Sequence, residues 1–289
     1  MSTSVVRILS LILLLLAPAV EALDLGSPQG VLDAYVRANG DTSGKDRLTY
    51  GSTTVYAFIP GAKARPLFRL EVVGASRYEA VEGGYRRLHR EVGYYTDLDT
   101  GEVLQQWHNP FTEREVDVIP IQNDPVNRSF VVDPATGSTG IQFYQDGDWV
   151  IFFREIPLRY PNPLSRAEYP RYSSGDFYEA MELFNTFVKR SDLDDDGLTA
   201  VPSSGSWSRI GPWLPWMEMG NSQGWLVYHG RSVALGSADD IPPRLRSYIE
   251  AHHPKYLHAP EQWGGANETS WTVFKEAIDQ RRRGHGSAP

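Results

Sequence analysis

The chain has 289 residues, 28 basic and 36 acidic side chains, a formal charge of −8 and no cysteine. The missing thiols exclude disulfides, thiolate nucleophiles, Cys-based zinc sites and a lipid-modified cysteine, so the core alone must hold the fold. An acidic chain without a basic stripe argues against nucleic acid as a partner.

Residues 1–22 read as a secretory signal peptide. Arg7 gives a short positive region, Ile8 to Leu16 an apolar core too short to remain in a bilayer, and Val20-Glu21-Ala22 a small-residue cleavage site. No other segment reaches transmembrane length. The expectation is a secreted or periplasmic protein, with no membrane span in the mature chain and a single β-barrel domain with C-terminal helices over residues 23–289. A short helix should open it, with Ser27 as cap, Pro28 in its first turn, Val31, Leu32, Tyr35 and Val36 on one face, and Gly40 at its end.

From Leu48 to about Glu155 the period becomes two. Strands are expected over 53–59, 66–73, 85–96, 102–107, 115–119 and 149–156, separated by turn signals such as Pro60-Gly61, Gly83-Gly84, Asp99-Thr100-Gly101 and Asp146-Gly147. A meander this long must curl or close, because open edges invite aggregation. The expected class is therefore mainly β with a few helices (β+α): an antiparallel up-and-down, lipocalin/calycin-like barrel with peripheral helices. Beyond Pro157 the spacing predicts an irregular proline-rich crossing, and then a helix over 174–189 carrying Phe177, Tyr178, Met181, Phe184, Phe187 and Val188. Short strands follow near Trp207, Trp216 and 225–228. Helices are expected over 242–252 and about 269–282, the last ending in Arg281-Arg282-Arg283, which suits a helix C-terminus.

Several strings combine rare residues in order: Arg-Glu-Val-Gly-Tyr-Tyr (90–95), Asp-Leu-Asp-Thr-Gly-Glu-Val-Leu (97–104), Asn-Asp-Pro-Val-Asn (123–127) and Pro-Leu-Arg-Tyr-Pro-Asn-Pro-Leu (157–164). Further along come Glu-Leu-Phe-Asn (182–185), Arg-Ile-Gly-Pro-Trp-Leu-Pro-Trp-Met (209–217), Glu-Ala-His-His-Pro (250–254) and Asn-Glu-Thr-Ser-Trp (267–271). In these the chain resembles a bacterial and fungal family catalogued as domain-of-unknown-function family 1838. The resemblance covers nearly the whole mature chain, implies kinship and carries no chemistry; the acidic segment 192–197 looks like a variable insertion.

Candidate site residues follow from the aromatic, proline-rich segments. On a strand His89 and Glu91 point to one face, where a carboxylate can tune an imidazole as base; a solvent-facing polar pair is the plainer alternative. Trp107 stands at a strand end. Arg159, Tyr160 and Asn162 project from a backbone stiffened by Pro161 and Pro163, and Arg209 sits among Trp207, Trp213 and Trp216 as either an anion clamp or a cation–π packing unit. His229 is the second candidate base. His252, His253 and His258 do not share a helical face, so no metal is expected. The stretch from Asp192 to Gly197 is half a calcium loop, with Ser203 where the bidentate Glu belongs. No nucleotide fingerprint or nucleophile elbow appears, so no cofactor is expected.

These residues suggest a protein that encloses a small, largely apolar or aromatic organic molecule. Arg159, Arg209 and a histidine should then meet in one cavity. If turnover follows, it is cofactor-independent acid/base chemistry of isomerase, lyase or hydratase type, with His89 or His229 as base. The alternatives are a non-catalytic carrier and a structural or interaction domain whose rings are only core.

Overall fold

Ser27 is extended and its hydroxyl accepts from the backbone N–H of Gly30 (3.1 Å), with Pro28 next, so helix α1 (Pro28–Asn39) begins where its cap dictates. The computed structural model that shows this describes residues 23–286; the signal peptide expected over 1–22 lies outside them. The described residues form twelve strands: β1 (Arg47–Phe58), β2 (Arg65–Val81), β3 (Gly84–Thr96), β4 (Gln106–Asn109), β5 (Arg114–Asp117), β6 (Ile121–Asn123), β7 (Arg128–Val131), β8 (Gln142–Asp146), β9 (Trp149–Pro161), β10 (Phe177–Lys189), β11 (Ser204–Gly211) and β12 (Trp225–Ala234). Helices α2 (Arg190–Leu193), α3 (Pro243–His252) and α4 (Ser270–Gly286) complete the chain. No helix among the described residues is long and apolar enough to cross a membrane.

Ten strands make one antiparallel sheet in the order β6-β3-β2-β1-β12-β11-β10-β9-β8, with β7 also paired to β3. Two meanders, β1–β3 and β8–β12, are joined by the pairing of β1 with β12. The fold is thus mainly antiparallel β with helices. Among the described residues no pairing joins β8 or β9 to β6 or β7, so closure into a lipocalin-like barrel is not shown. The edges explain the open ladder: β6, β7 and β8 are short, and β9 has no outer partner beyond Phe153. The sheet still curls. Phe130 of β7 and Phe152 of β9 both pack on Tyr35 of α1, with ring centroids 5.0 and 5.6 Å away, so α1 spans the seam instead of hydrogen bonds.

The helix expected over 174–189 is strand β10, and the crossing expected after Pro157 is the end of β9. Met181, Phe184 and Phe187 do repeat at helical spacing, but β10 is paired along its whole length with β9 and over most of it with β11. Both of its faces carry apolar side chains, so alternation is masked and ladder pairing overrides local preference. Trp216, expected near a strand, lies in a 3₁₀ turn (Pro215–Met217).

Three apolar clusters hold the sheet. At one end of the roll Trp213, Leu214, Trp216 and Met217 pack with Trp271 and Phe274 of α4 against Phe68, Tyr95 and Leu226. At the other end Leu32, Tyr35 and Val36 of α1 pack on Tyr78, Phe130, Val150, Phe152 and Val188. Outside the roll, Leu245 and Ile249 of α3 cover Val73, Ala75, Val92 and Tyr94. The acidic turn at 192–197 packs around the Arg37 guanidinium, which donates to the carbonyls of Leu193 (2.7 Å) and Asp195.

Candidate functional site

Strand alternation decides what the inside of the roll contains. On β3 it turns Arg87, His89, Glu91 and Tyr95 inward, opposite Tyr78, Ser76, Gly74 and Leu70 of β2. On β10 it turns Tyr178, Glu182 and Phe184 inward, and on β11 Trp207 and Arg209. The two ends of the roll are sealed by the clusters described above. Between them Val72, Arg87, Glu91, Glu182, Phe184 and Trp207 are only half-buried. Glu91 is the clearest case: burial is the largest influence on its carboxyl, yet 32% of its side-chain surface is accessible. Packed interiors leave little such surface, so this band is where the concave face is least tightly filled.

On one wall His89 Nδ1 lies 2.8 Å from Ser76 Oγ and its Nε2 3.6 Å from Glu91 Oε2. Asn123 donates to the other Glu91 oxygen at 2.7 Å, and Ser270 donates to Asn123 at 3.2 Å. Gly74 makes room for this wall, because a Cβ there would meet His89 Cε1 at 2.9 Å. Burial, with Arg87 nearby, pushes the His89 imidazole below its ordinary pKa although Glu91 opposes it. Burial alone would raise the Glu91 carboxyl, but His89, Asn123 and Arg87 together hold it below the usual range.

On the facing wall Arg209 is buried, donates to the Tyr178 hydroxyl, and lies 3.6 Å from Glu182. Its guanidinium stands over the rings of Tyr228 (5.3 Å), Trp271 (5.6 Å) and Tyr178 (5.7 Å). Burial pushes the Glu182 carboxyl up further than Arg209 pulls it down, and the Glu91 charge on the other wall adds to the rise. The indole N–H groups of Trp207 and Trp271 are buried without an acceptor among the described residues. Glu182 was not recognised from sequence, because the helix read over 174–189 placed it on a polar face. Its signal was a Glu two positions from Ala180 and Phe184, which strand parity would have sent inward.

Other candidates lie elsewhere. Arg159 points outward from β9, pairs with Glu179 (2.9 Å) and covers the Phe177 ring at 4.0 Å; it never meets Arg209, which is on the opposite face of the sheet. His229 is exposed on the outer face beside Ser208 (3.1 Å), away from the concave face. Asn162 shapes the turn after β9, donating to Gly175 O (2.8 Å) and accepting from Leu164 N (3.0 Å). Trp107, Trp213 and Trp216 belong to the sealing cluster; Trp107 and Trp216 stack edge-on at 6.0 Å, and Trp213 donates to Ser222 O. Tyr160 does face inward, against Tyr178 at 4.7 Å. Convergence of Arg159 with Arg209 therefore fails, while His89, Glu91, Arg209 and Tyr160 share the concave face. One surface depression lies beside Asp124, already paired with Arg90 (3.2 Å) and Lys255 (2.8 Å), and another beside His253, whose Nδ1 is 2.6 Å from Tyr94 Oη.

A family model described as "Protein of unknown function (DUF1838)" matches residues 44–278, from β1 into α4, and the chain belongs to that family. No curated protein matches it.

Proposed function

We propose that this DUF1838 protein holds a small organic molecule in a hollow of its curled sheet, a calyx of lipocalin-like kind whose seam is bridged at one end by α1. The rings of Trp207 and Phe184 take the apolar part of the ligand, and His89, Glu91 and Glu182 supply acid/base groups for cofactor-free chemistry of isomerase, lyase or hydratase type. The observation that carries this reading is a band of charged side chains, enclosed yet accessible, between two sealed ends. A carboxyl held up facing an imidazole and a carboxyl held down separates an acid from a base, as proton transfer requires. The signal peptide read over residues 1–22 supports a secreted or periplasmic location, so the ligand would be one met there.

A carrier is the second reading, and Glu91 favours it. One of its oxygens accepts from Asn123 and the other faces His89, which leaves it a weak base.

Native mass spectrometry of the full chain from its natural host tests the reading. One small molecule should accompany the protein and be lost from Val72→Trp, which fills the hollow at little cost in stability. A bare mass, together with a Val72→Trp protein destabilised by the about 1–3 kcal/mol of an overpacked core, would show a solid interior and end the proposal. With the compound in hand, an enzyme loses turnover but keeps affinity in His89→Gln and Glu182→Gln. A carrier returns the compound unchanged.

A further inference from the structure

Three arginines on the concave side have no carboxylate within ion-pair distance among the described residues: Arg87 on β3, Arg128 on β7 and Arg154 on β9. The ion pairs formed elsewhere in the roll leave them out, although the chain as a whole carries more acid than base. Their placement is not scattered. Arg87 and Arg128 are direct cross-strand partners, and both guanidinium groups stand over the Phe130 ring, at 5.9 and 5.3 Å. Like charges directly opposite each other on a ladder are destabilising, and a neutral side chain at either position would remove that repulsion.

Arg154 approaches from across the seam. It sits on β9 where β8 stops pairing, over the Phe184 ring at 4.8 Å, and two residues from Phe152, which shares Tyr35 with Phe130. The charge of Arg128 feels both Arg154 and Arg87, so the three lie within electrostatic range of one another. The same group reaches the hollow: Arg87 acts on His89 and Glu91, and Arg154 acts on Glu182. Above this level the seam is covered by the 267–271 segment, where Asn267 and Asn127 exchange hydrogen bonds (2.7 and 2.8 Å). Below it lies α1. Arg128 is exposed and Arg154 half-buried, so the uncovered stretch of seam is flanked by positive charge on both sides.

We infer that the molecule held in the hollow is an anion, a carboxylate, sulfate or phosphate ester, whose acidic group is taken by Arg87, Arg128 and Arg154 at the seam while its apolar part lies against Trp207 and Phe184. This inference rests on the pocket reading above and adds to it the charge of the ligand and its side of entry. Guanidinium groups suit such a group because their planar forks donate in pairs to its oxygens. The cation–π contacts to Phe130 and Phe184 help hold the guanidinium groups in place and consume no carboxylate.

Two fluorescent probes with the same ring system test it on the full chain: anilinonaphthalene sulfonate, which is anionic, and phenylnaphthylamine, which is the same skeleton without the sulfonate. The sulfonate should bind one per chain and more tightly than the neutral probe, and added salt should weaken the sulfonate alone. Arg128→Gln/Arg154→Gln should lose about tenfold or more in sulfonate affinity, as expected when charge-assisted contacts are removed, and keep the neutral probe within about twofold. Arg128→Gln alone, at an exposed position, guards against a folding defect and should show a smaller loss of the same kind. Equal binding of both probes, unaffected by either variant, overturns the anion inference and leaves the pocket standing. Binding of neither probe overturns both.

Discussion

Two arginine–glutamate pairs on neighbouring strands show how differently one chemistry is used on the two faces of this sheet. Arg159 and Glu179 meet at 2.9 Å on the convex face with 63% and 65% of their side chains exposed. Arg209 and Glu182 meet at 3.6 Å on the concave face with 8% and 17% exposed. The outer pair has the shorter contact and contributes less, because water screens it and competes for both partners; such pairs contribute about 0–1 kcal/mol. The inner pair is longer, yet its members depend on each other more, because burial leaves them little water to replace a lost partner. Proximity ranks these pairs in one order and burial in the reverse order, and burial decides.

The largest effect should therefore come from breaking the inner pair. Arg209→Ala leaves Glu182 enclosed and uncompensated and removes a cation from three ring faces. A loss of about 3–5 kcal/mol is expected in urea or thermal unfolding. Replacing both partners, Arg209→Met with Glu182→Leu, should return most of that loss, because the desolvation of two charges disappears with them. If the double variant is as unstable as the single one, the concave pair is held by more than its mutual charge.

Next comes the wall opposite. Gly74→Ala puts a methyl within 2.9 Å of His89 Cε1 and 3.0 Å of Thr49 Oγ1 on a backbone that can give little. The expected cost is about 1–3 kcal/mol, the range for an overpacked site. The same change displaces the imidazole from Ser76 and Glu91, so the His89 ring resonances and their titration should move in NMR spectra. A stability loss with an unmoved His89 titration would mean that the strain relaxes on the Thr49 side.

The His89–Glu91 contact also predicts how stability depends on pH. His89 is held below its ordinary value of 6.5 in the folded protein. As pH falls below about 6.5 the unfolded chain takes up a proton that the folded chain does not. Stability is then full above that pH and declines below it, by at most about 1.4 kcal/mol per pH unit, until folded His89 also protonates. Glu91 is held below 4.5, so its contribution is present above that value and is lost as pH falls through it. His89→Gln should flatten the upper part of the acid limb and Glu91→Gln the lower part. A single limb shared by both variants would show that the two groups titrate as one unit.

Much of this fold was readable wherever one face of an element is apolar and the other polar. Helix α1 carries its cap at Ser27 and its stripe at Val31, Leu32, Tyr35 and Val36, and β1 to β3 carry their turn residues. Strand β10 was not readable, because Phe177, Met181 and Leu183 on its outer face are as apolar as Tyr178, Ala180 and Phe184 on its inner face. The short edge strands β6, β7 and β8 have too few residues to show a period at all. The site followed the same rule. His89 and Glu91 were found because β3 was found, and Glu182 was missed because β10 was missed. Arg159 and His229 were read by the company they keep in sequence, whereas what matters on a strand is parity. Arg159 has odd parity on β9, where Arg154, Ile156, Leu158 and Tyr160 face inward. His229 is one residue past the inward Tyr228 on β12.

The smallest effects should come from those two residues, and their smallness is informative. Arg159→Ala removes a pair that water can replace and a stacking contact with Phe177 on an exposed surface, so unfolding should shift by no more than about 1 kcal/mol. His229→Ala removes one hydrogen bond to Ser208 on the same face, for which water is an equal partner, and should shift it by about 0.5 kcal/mol or less. Neither change should alter the affinity of anilinonaphthalene sulfonate, because the sheet itself stands between these side chains and the hollow. A strong loss of probe affinity in Arg159→Ala would place the bound molecule on the convex face. The aromatic concave wall around Arg209 would then be core and nothing more.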